Sequence, residues 1–132
     1  MVKTDLIIVG GKRKTSIAKA HIKEGKGIIT INKVPYTTLH DFHRLSIEEP
    51  IRIAKSILGE IKYDIHVKVT GGGNESRIEA SRLAIARALV KQSESNKQKL
   101  KDQGLLTRDP RDKERKKYGR KRARKRFQYS KR

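Results

Sequence analysis

The chain of 132 residues carries 34 Lys and Arg against 14 Asp and Glu, a net charge of +20, with no cysteine. That length supports a single hydrophobic core. The missing thiols exclude a disulfide framework and thiolate metal sites, and the charge points to RNA or DNA as the partner.

The charge is not confined to one part. From Thr107 onward there are fourteen basic and three acidic residues, a net of +11, so the first 106 residues keep +9. No apolar run approaches the roughly twenty residues of a membrane span. The start, MVKTDLIIVGGKRK, is too short and too quickly charged for a secretory signal, so a soluble protein with no membrane partner is expected.

In chain order, Leu6 to Val9 is a short candidate edge strand. Gly10-Gly11-Lys12-Arg13-Lys14-Thr15 reads as a loop, where three successive cations either splay over a phosphate backbone or form a solvated charge cluster. Thr15 to Lys23 alternates, with Ser16, Ala18, Ala20 and Ile22 on one face and Ile17, Lys19, His21 and Lys23 on the other, as in a half-buried strand. Glu24 to Gly27 is turn-forming and Ile28 to Val34 resumes a β-branched run, which predicts a hairpin between the two segments. Ile51, Ala54, Leu58 and Ile61 then recur at helical spacing, with Pro50 placed near a first turn and Gly59 near the end.

Tyr63 to Thr70 is the clearest strand, with Tyr63, Ile65, Val67 and Val69 facing one way. The strongest helix covers Glu75 to Lys91, where Ile78, Ile85 and Leu89 form an apolar column flanked by Leu83, Ala86 and Val90, and Arg77, Arg87 and Lys91 occupy another side. Arg82 falls nearer the apolar columns, where its stem can pack while its guanidinium reaches outward. A last short helix is expected over Ser95 to Gln103, stopping at Gly104, with a turn at Asp109-Pro110. The order strand, strand, helix, strand, helix predicts an α+β body over residues 1–106, helices covering one face of a mostly antiparallel or mixed sheet. Residues 107–132 form a basic tail. Its last eighteen positions hold eleven Lys or Arg and no acid, too little apolar surface to order without a polyanion.

Gly71-Gly72-Gly73 ends a strand and opens the long helix, where backbone can approach a phosphate closely. The segment lacks both the later glycine of a dinucleotide fingerprint and the Gly-Lys-Ser/Thr of a P-loop, so no nucleotide cofactor is expected and a tight turn, with or without RNA contact, is the reading. His40 and His43 form an HxxH pair without suitably spaced carboxylates or thiolates, so no metal is expected. His21 and His66 stand at outward strand positions, as polar surface residues or as platforms for RNA stacking. Glu48 and Glu49 read as helix-initiating acids, favouring a dipole interaction over acid–base work. No nucleophile elbow or HExxH is present, so an enzyme is not expected. Tyr118, Phe127 and Tyr129 sit among the tail cations, where they can stack on unpaired bases or pack on a neighbour. A free-standing nucleic-acid chaperone, and an enzyme using the glycine turn as a phosphate cradle, are the competing classes.

Four segments, GGKRKTSIAKA, GKGIITINKVPY, VKVTGGGNESRIEASRLAIARALV and GLLTRDPRDKERKKYG followed by ARKRFQYSKR, occur in one order across nearly the whole chain. Together they resemble the universal small-subunit ribosomal protein S nine family. Where many bacterial members have S-G-Q-A after the glycines, this chain has Ser76-Arg77-Ile78-Glu79. The resemblance implies a two-layer α/β sandwich of the ribosomal protein S five domain-two type, with a left-handed β-α-β crossover and an extended tail. It also implies a place in the head of the small subunit of a cytoplasmic or organellar ribosome, beside neighbouring head proteins. There the protein would bind rRNA and thread its tail to the peptidyl-site tRNA. Carried over by position, Ser130, Lys131 and Arg132 would meet tRNA. Arg115, Lys116, Lys117, Arg120, Lys121, Arg122, Arg124, Lys125 and Arg126 would lie among rRNA phosphates. From the body, Lys12, Arg13, Lys14, Gly71, Gly72, Gly73, Arg77 and Arg87 are the expected rRNA contacts. An extended segment of eighteen residues reaches roughly 55 Å at about 3.3 Å per residue, well beyond the radius of such a body.

Overall fold

A computed structural model describes residues 7–132. Five strands, β1 (Ile7–Arg13), β2 (Ser16–Glu24), β3 (Ile29–Ile31), β4 (Val34–Pro35) and β5 (Tyr63–Thr70), form one sheet in the order β1-β2-β5-β3-β4. Three helices, α1 (Asp41–Leu58), α2 (Asn74–Gln92) and α3 (Lys97–Asp102), complete a mixed α+β body. Leu6 of the expected edge strand lies outside the described residues.

The alternation in β2 and β5 works as read. Ser16, Ala18, Ala20 and Ile22, with Ile65, Val67 and Val69, are buried toward the helices. Small residues on β2 let α2 approach, and α2 is buried on most of its circumference because it packs on β1, β2 and β5 and also against α1. Gly11 is the tightest point of that contact. A Cβ there would lie 2.4 Å from the Ala80 carbonyl oxygen and 2.7 Å from the Ala84 nitrogen, so only glycine lets this strand pass beneath the helix.

Three expectations change. The segment Gly10 to Arg13 is not a loop. It continues β1, paired antiparallel to β2 from Ile7 opposite Ile22 to Arg13 opposite Ser16, and Gly11 serves strand–helix packing rather than a turn.

The predicted hairpin between β2 and the Ile28–Val34 segment does not form. β5 inserts between them, antiparallel to β2 and parallel to β3, and the β-branched run breaks at Asn32-Lys33, both at positive φ, to turn into β4. Asp64 organises this departure. Its Oδ1 accepts the backbone N–H groups of Lys26, Gly27 and Ile28 at 2.9, 3.0 and 2.9 Å, drawing the chain after β2 across the start of β5.

The third change is the start of α1, which precedes Pro50 by nine residues. Its buried stripe is Ile47, Pro50, Ile51 and Ala54, at the i, i+3, i+4, i+7 spacing of one helical face. Pro50 thus sits inside the helix, where its ring is buried and its missing N–H leaves one helical bond unmade. Leu58 is exposed, while Ile61 reaches the core from beyond Gly59. Glu48 and Glu49 therefore lie in mid-helix. Glu48 pairs with Arg52 at 2.9 Å, and Glu49 receives Arg82 from α2 at 3.0 Å.

Candidate nucleic-acid interface

The two-residue connection between β1 and β2 lifts Lys14 to a φ of 51° and leaves it exposed. Its neighbour across the sheet is the glycine turn. The Ser16 hydroxyl donates to the Gly71 carbonyl at 3.0 Å and shares a 2.8 Å hydrogen bond with the Ser76 hydroxyl. Gly72, at a φ of 65°, leaves room for both hydroxyls, since a Cβ there would stand 2.0 Å from Ser16 Oγ and 2.6 Å from Ser76 Oγ. Ser76 Oγ also accepts the Gly73 N–H at 3.1 Å, closing the first turn of α2. Arg77 Nε donates to the Gly71 carbonyl at 2.9 Å with its side chain exposed. The fold therefore gathers Lys14, Gly71, Gly72, Gly73 and Arg77 at one end of the sheet, although Lys14 and Arg77 are more than sixty positions apart in sequence. Lys12 points out of the open sheet face nearby, paired in register with Ile17. Arg87 is turned to the β1 edge, where Nη1 donates to the Gly10 carbonyl at 2.8 Å.

Arg13 has a different place. The strand alternation turns it inward beneath α2, where its side chain is only 11% exposed, ion-paired through Nε to Glu79 and hydrogen-bonded through Nη1 to the Arg111 carbonyl. Asp109 lies 3.4 Å from its Nη2. Asp109 is held far below the usual carboxylate range, first by the Arg111 side-chain hydrogen bonds and then by the Arg111 backbone N–H, with the Arg13 charge adding to these. One guanidinium thus ties strand, helix and the root of the tail together, with Nε and Nη1 hydrogen-bonded within the protein.

After α3, Leu105 is buried and Leu106 packs against the core. From Arg111 onward nearly every residue is exposed. Glu114 accepts from Lys117 at 2.8 Å and from Arg124 at 3.0 Å, and the Lys121 N–H donates to the Lys125 carbonyl at 2.8 Å, giving this stretch a local loop. Lys117 and then Arg124 hold the Glu114 carboxyl below its ordinary value. Among the described residues, Arg115, Lys116, Arg120, Lys121, Arg122, Lys125, Arg126, Lys131 and Arg132 have no carboxylate within 4.0 Å. Ser130 is exposed beside the last two. Tyr118, Phe127 and Tyr129 are 98, 64 and 85% exposed, so most of each ring is open to solvent.

The His40 and His43 rings meet edge-on, with centroids 6.0 Å apart, and each has a further partner. His40 stacks on Phe42 with centroids 5.7 Å apart, and His43 Nε2 lies 2.8 Å from Glu75 Oε1, linking the first turns of α1 and α2. Among the described residues no three His, Asp or Glu side chains gather as a metal site, and no helix is long and apolar enough to cross a membrane. The inward turn of Arg13 is the functional point that residue type alone does not reveal. The signal for it is the alternation of β1, which Gly10 and Gly11 mask by mimicking a loop.

The profile of the family described as ribosomal protein S9/S16 matches residues 11–132. The chain is similar to the small ribosomal subunit protein uS9 of Amoebophilus asiaticus, at 47% identity over 132 residues, covering 97% of this chain and 99% of that one. It is 45% identical over 130 residues to the protein of that name from Chlorobaculum tepidum, covering 97 and 98%, and 44% identical over 124 residues to that of Flavobacterium psychrophilum, covering 92 and 94%.

Proposed function

The chain belongs to the ribosomal protein S9/S16 family, and on that premise we propose that it binds small-subunit rRNA through its body and carries its basic tail to the tRNA in the peptidyl site. It is a structural protein of the small ribosomal subunit and not an enzyme. In this reading Lys14, Arg77 and the glycine turn grip rRNA at one end of the body, with Lys12 adding a cation from the open sheet face and Arg87 another from the β1 edge. The tail cations from Arg115 to Arg126 lie along rRNA phosphates, and Ser130, Lys131 and Arg132 touch the tRNA backbone. Arginine forks hold phosphate bidentately and lysines act as point charges, so such contacts hold backbone and shape rather than sequence.

The observation that carries this reading is the tail. It lies within the family match, and from Arg115 onward all of its cations except Lys117 and Arg124 lack a carboxylate partner among the described residues. The exposed rings of Tyr118, Phe127 and Tyr129 fit stacking on unpaired bases. Parallel pairing of β3 with β5, with α1 in the connection, supports a β-α-β unit as in the finer fold assignment, a ribosomal protein S five domain-two sandwich, whose left-handed crossover is what the family resemblance implies. The body over 1–106 and the tail over 107–132 are separate in role, the first anchoring the second. Neighbouring head proteins complete the surroundings, and relatives of bacterial origin support a cytoplasmic ribosome.

Subunits rebuilt with protein lacking Lys131 and Arg132 test the tail's role. They are expected to assemble normally and to hold peptidyl-site tRNA more weakly. Unchanged tRNA affinity and reading-frame fidelity would remove the tail from tRNA binding.

A further inference from the structure

The sheet has a face that no helix covers. Its outward positions on β1, β2 and β5 are set by the register, which places Lys19 directly opposite Lys68 and His21 directly opposite His66. Like charges directly opposed across an antiparallel pair repel and destabilise the isolated fold. Yet Lys12, Lys19 and Lys68 have no carboxylate within 4.0 Å among the described residues. The acid on this face, Asp64, has its Oδ1 occupied by three backbone N–H groups. A concentrated positive field is thus kept on a flat, open surface.

Beside the lysines, His21, Thr30, Lys33, His66 and Lys68 help to line an open cavity of about 590 Å³, in the range of sites that take small molecules. His66 is fixed there by a 2.8 Å hydrogen bond between its Nδ1 and the Thr30 hydroxyl, and its Nε2 has no partner among the described residues. Ile17, 38% exposed, adds apolar surface next to Lys12 and Lys19. Cations for phosphate, imidazoles that stack and hydrogen-bond, and an apolar neighbour are the elements of a single-strand nucleic-acid platform.

We propose that this open sheet face is a second RNA-binding surface. An unpaired rRNA segment runs its backbone over Lys12, Lys19 and Lys68 and seats a base in the cavity that His21, Thr30, Lys33 and His66 help to line. The inference rests on the rRNA-binding reading above and adds to it a face separate from the inward-facing root of the tail. An acidic protein neighbour is the other occupant that the charge would admit, and the test distinguishes the two.

The test uses full-length protein and small-subunit rRNA, with affinity measured over a range of salt. Replacing both lysines, Lys19→Gln with Lys68→Gln, is expected to flatten the plot of log affinity against log salt by about 1.4, two single-strand phosphates at about 0.7 each. Lys19→Arg with Lys68→Arg is expected to keep the wild-type slope, which separates lost charge from a disturbed fold. In assembled subunits, ultraviolet crosslinking is expected to attach RNA to the peptide containing His66. An unchanged slope for the glutamine pair beside a wild type that binds rRNA would overturn this face alone. A crosslink from this peptide to a protein instead of RNA would do the same. A wild type with no preference for small-subunit rRNA would overturn the rRNA reading and this inference together.

Discussion

Asp64 shows how one carboxylate can decide a chain's path. Alternation gives it an outward strand position, and a polar residue there needs no further purpose. The structure instead places its Oδ1 at the focus of three successive backbone N–H groups, replacing a hairpin partner for Lys26, Gly27 and Ile28. The Ile28 N–H, followed by those of Lys26 and Gly27 with help from the Lys23 charge, holds the carboxyl below its ordinary value of 3.8. A carboxylate lowered on folding contributes stability that is present above its unfolded pKa and is lost as pH falls through the folded value. Asp64→Asn should therefore lower the melting temperature at neutral pH, with the gap from wild type shrinking as pH is taken below about 4. Melting curves across that range check it, and a gap independent of pH would show that the charge of Asp64 plays no part.

At the scale of elements, the joint between body and tail depends on Arg13. Its partners lie 66 residues away at Glu79 and 98 away at Arg111, so β1, α2 and the start of the tail meet at one side chain. Arg13→Met keeps the apolar stem and removes the charge, leaving Glu79 and Asp109 without their shared cation. Breaking a buried pair costs roughly 3–5 kcal/mol. Glu79 is 45% exposed and water recovers part of the loss, so a cost of about 2 kcal/mol is expected. Hydrogen exchange should quicken over residues 107–112 more than in the centre of α2. Equal change in both places would mean that Arg13 supports the core alone. The same distances explain why this role is hidden in the sequence, where Arg13 is one of three adjacent cations. β2, β5 and α2 are legible because their periodicities are local. Gly10 and Gly11 disguise the continuation of β1, since a glycine that admits a helix, as Gly11 does, looks the same as a glycine that makes a turn. Pro50 likewise mimics a helix start while sitting in the buried stripe of α1.

For the whole molecule, charge and family agree on the partner while the fold supplies the arrangement. The basic tail and four segments in family order were readable residue by residue, and the family match extends through Arg132. The strand order was not readable, because β5 enters between β2 and β3 from more than thirty residues downstream. Nor was the assembly of Lys14, the glycine turn and Arg77 at one end of the sheet, which depends on Ser16 and Ser76 meeting across the core's edge. The most direct measurement of the central claim is crosslinking of the full-length protein in native cell extract, followed by sequencing of the attached RNA. The account predicts small-subunit rRNA on body and tail, with tRNA attached at Ser130 to Arg132. Broad recovery of unrelated RNA or DNA, without ribosomal enrichment, would contradict it.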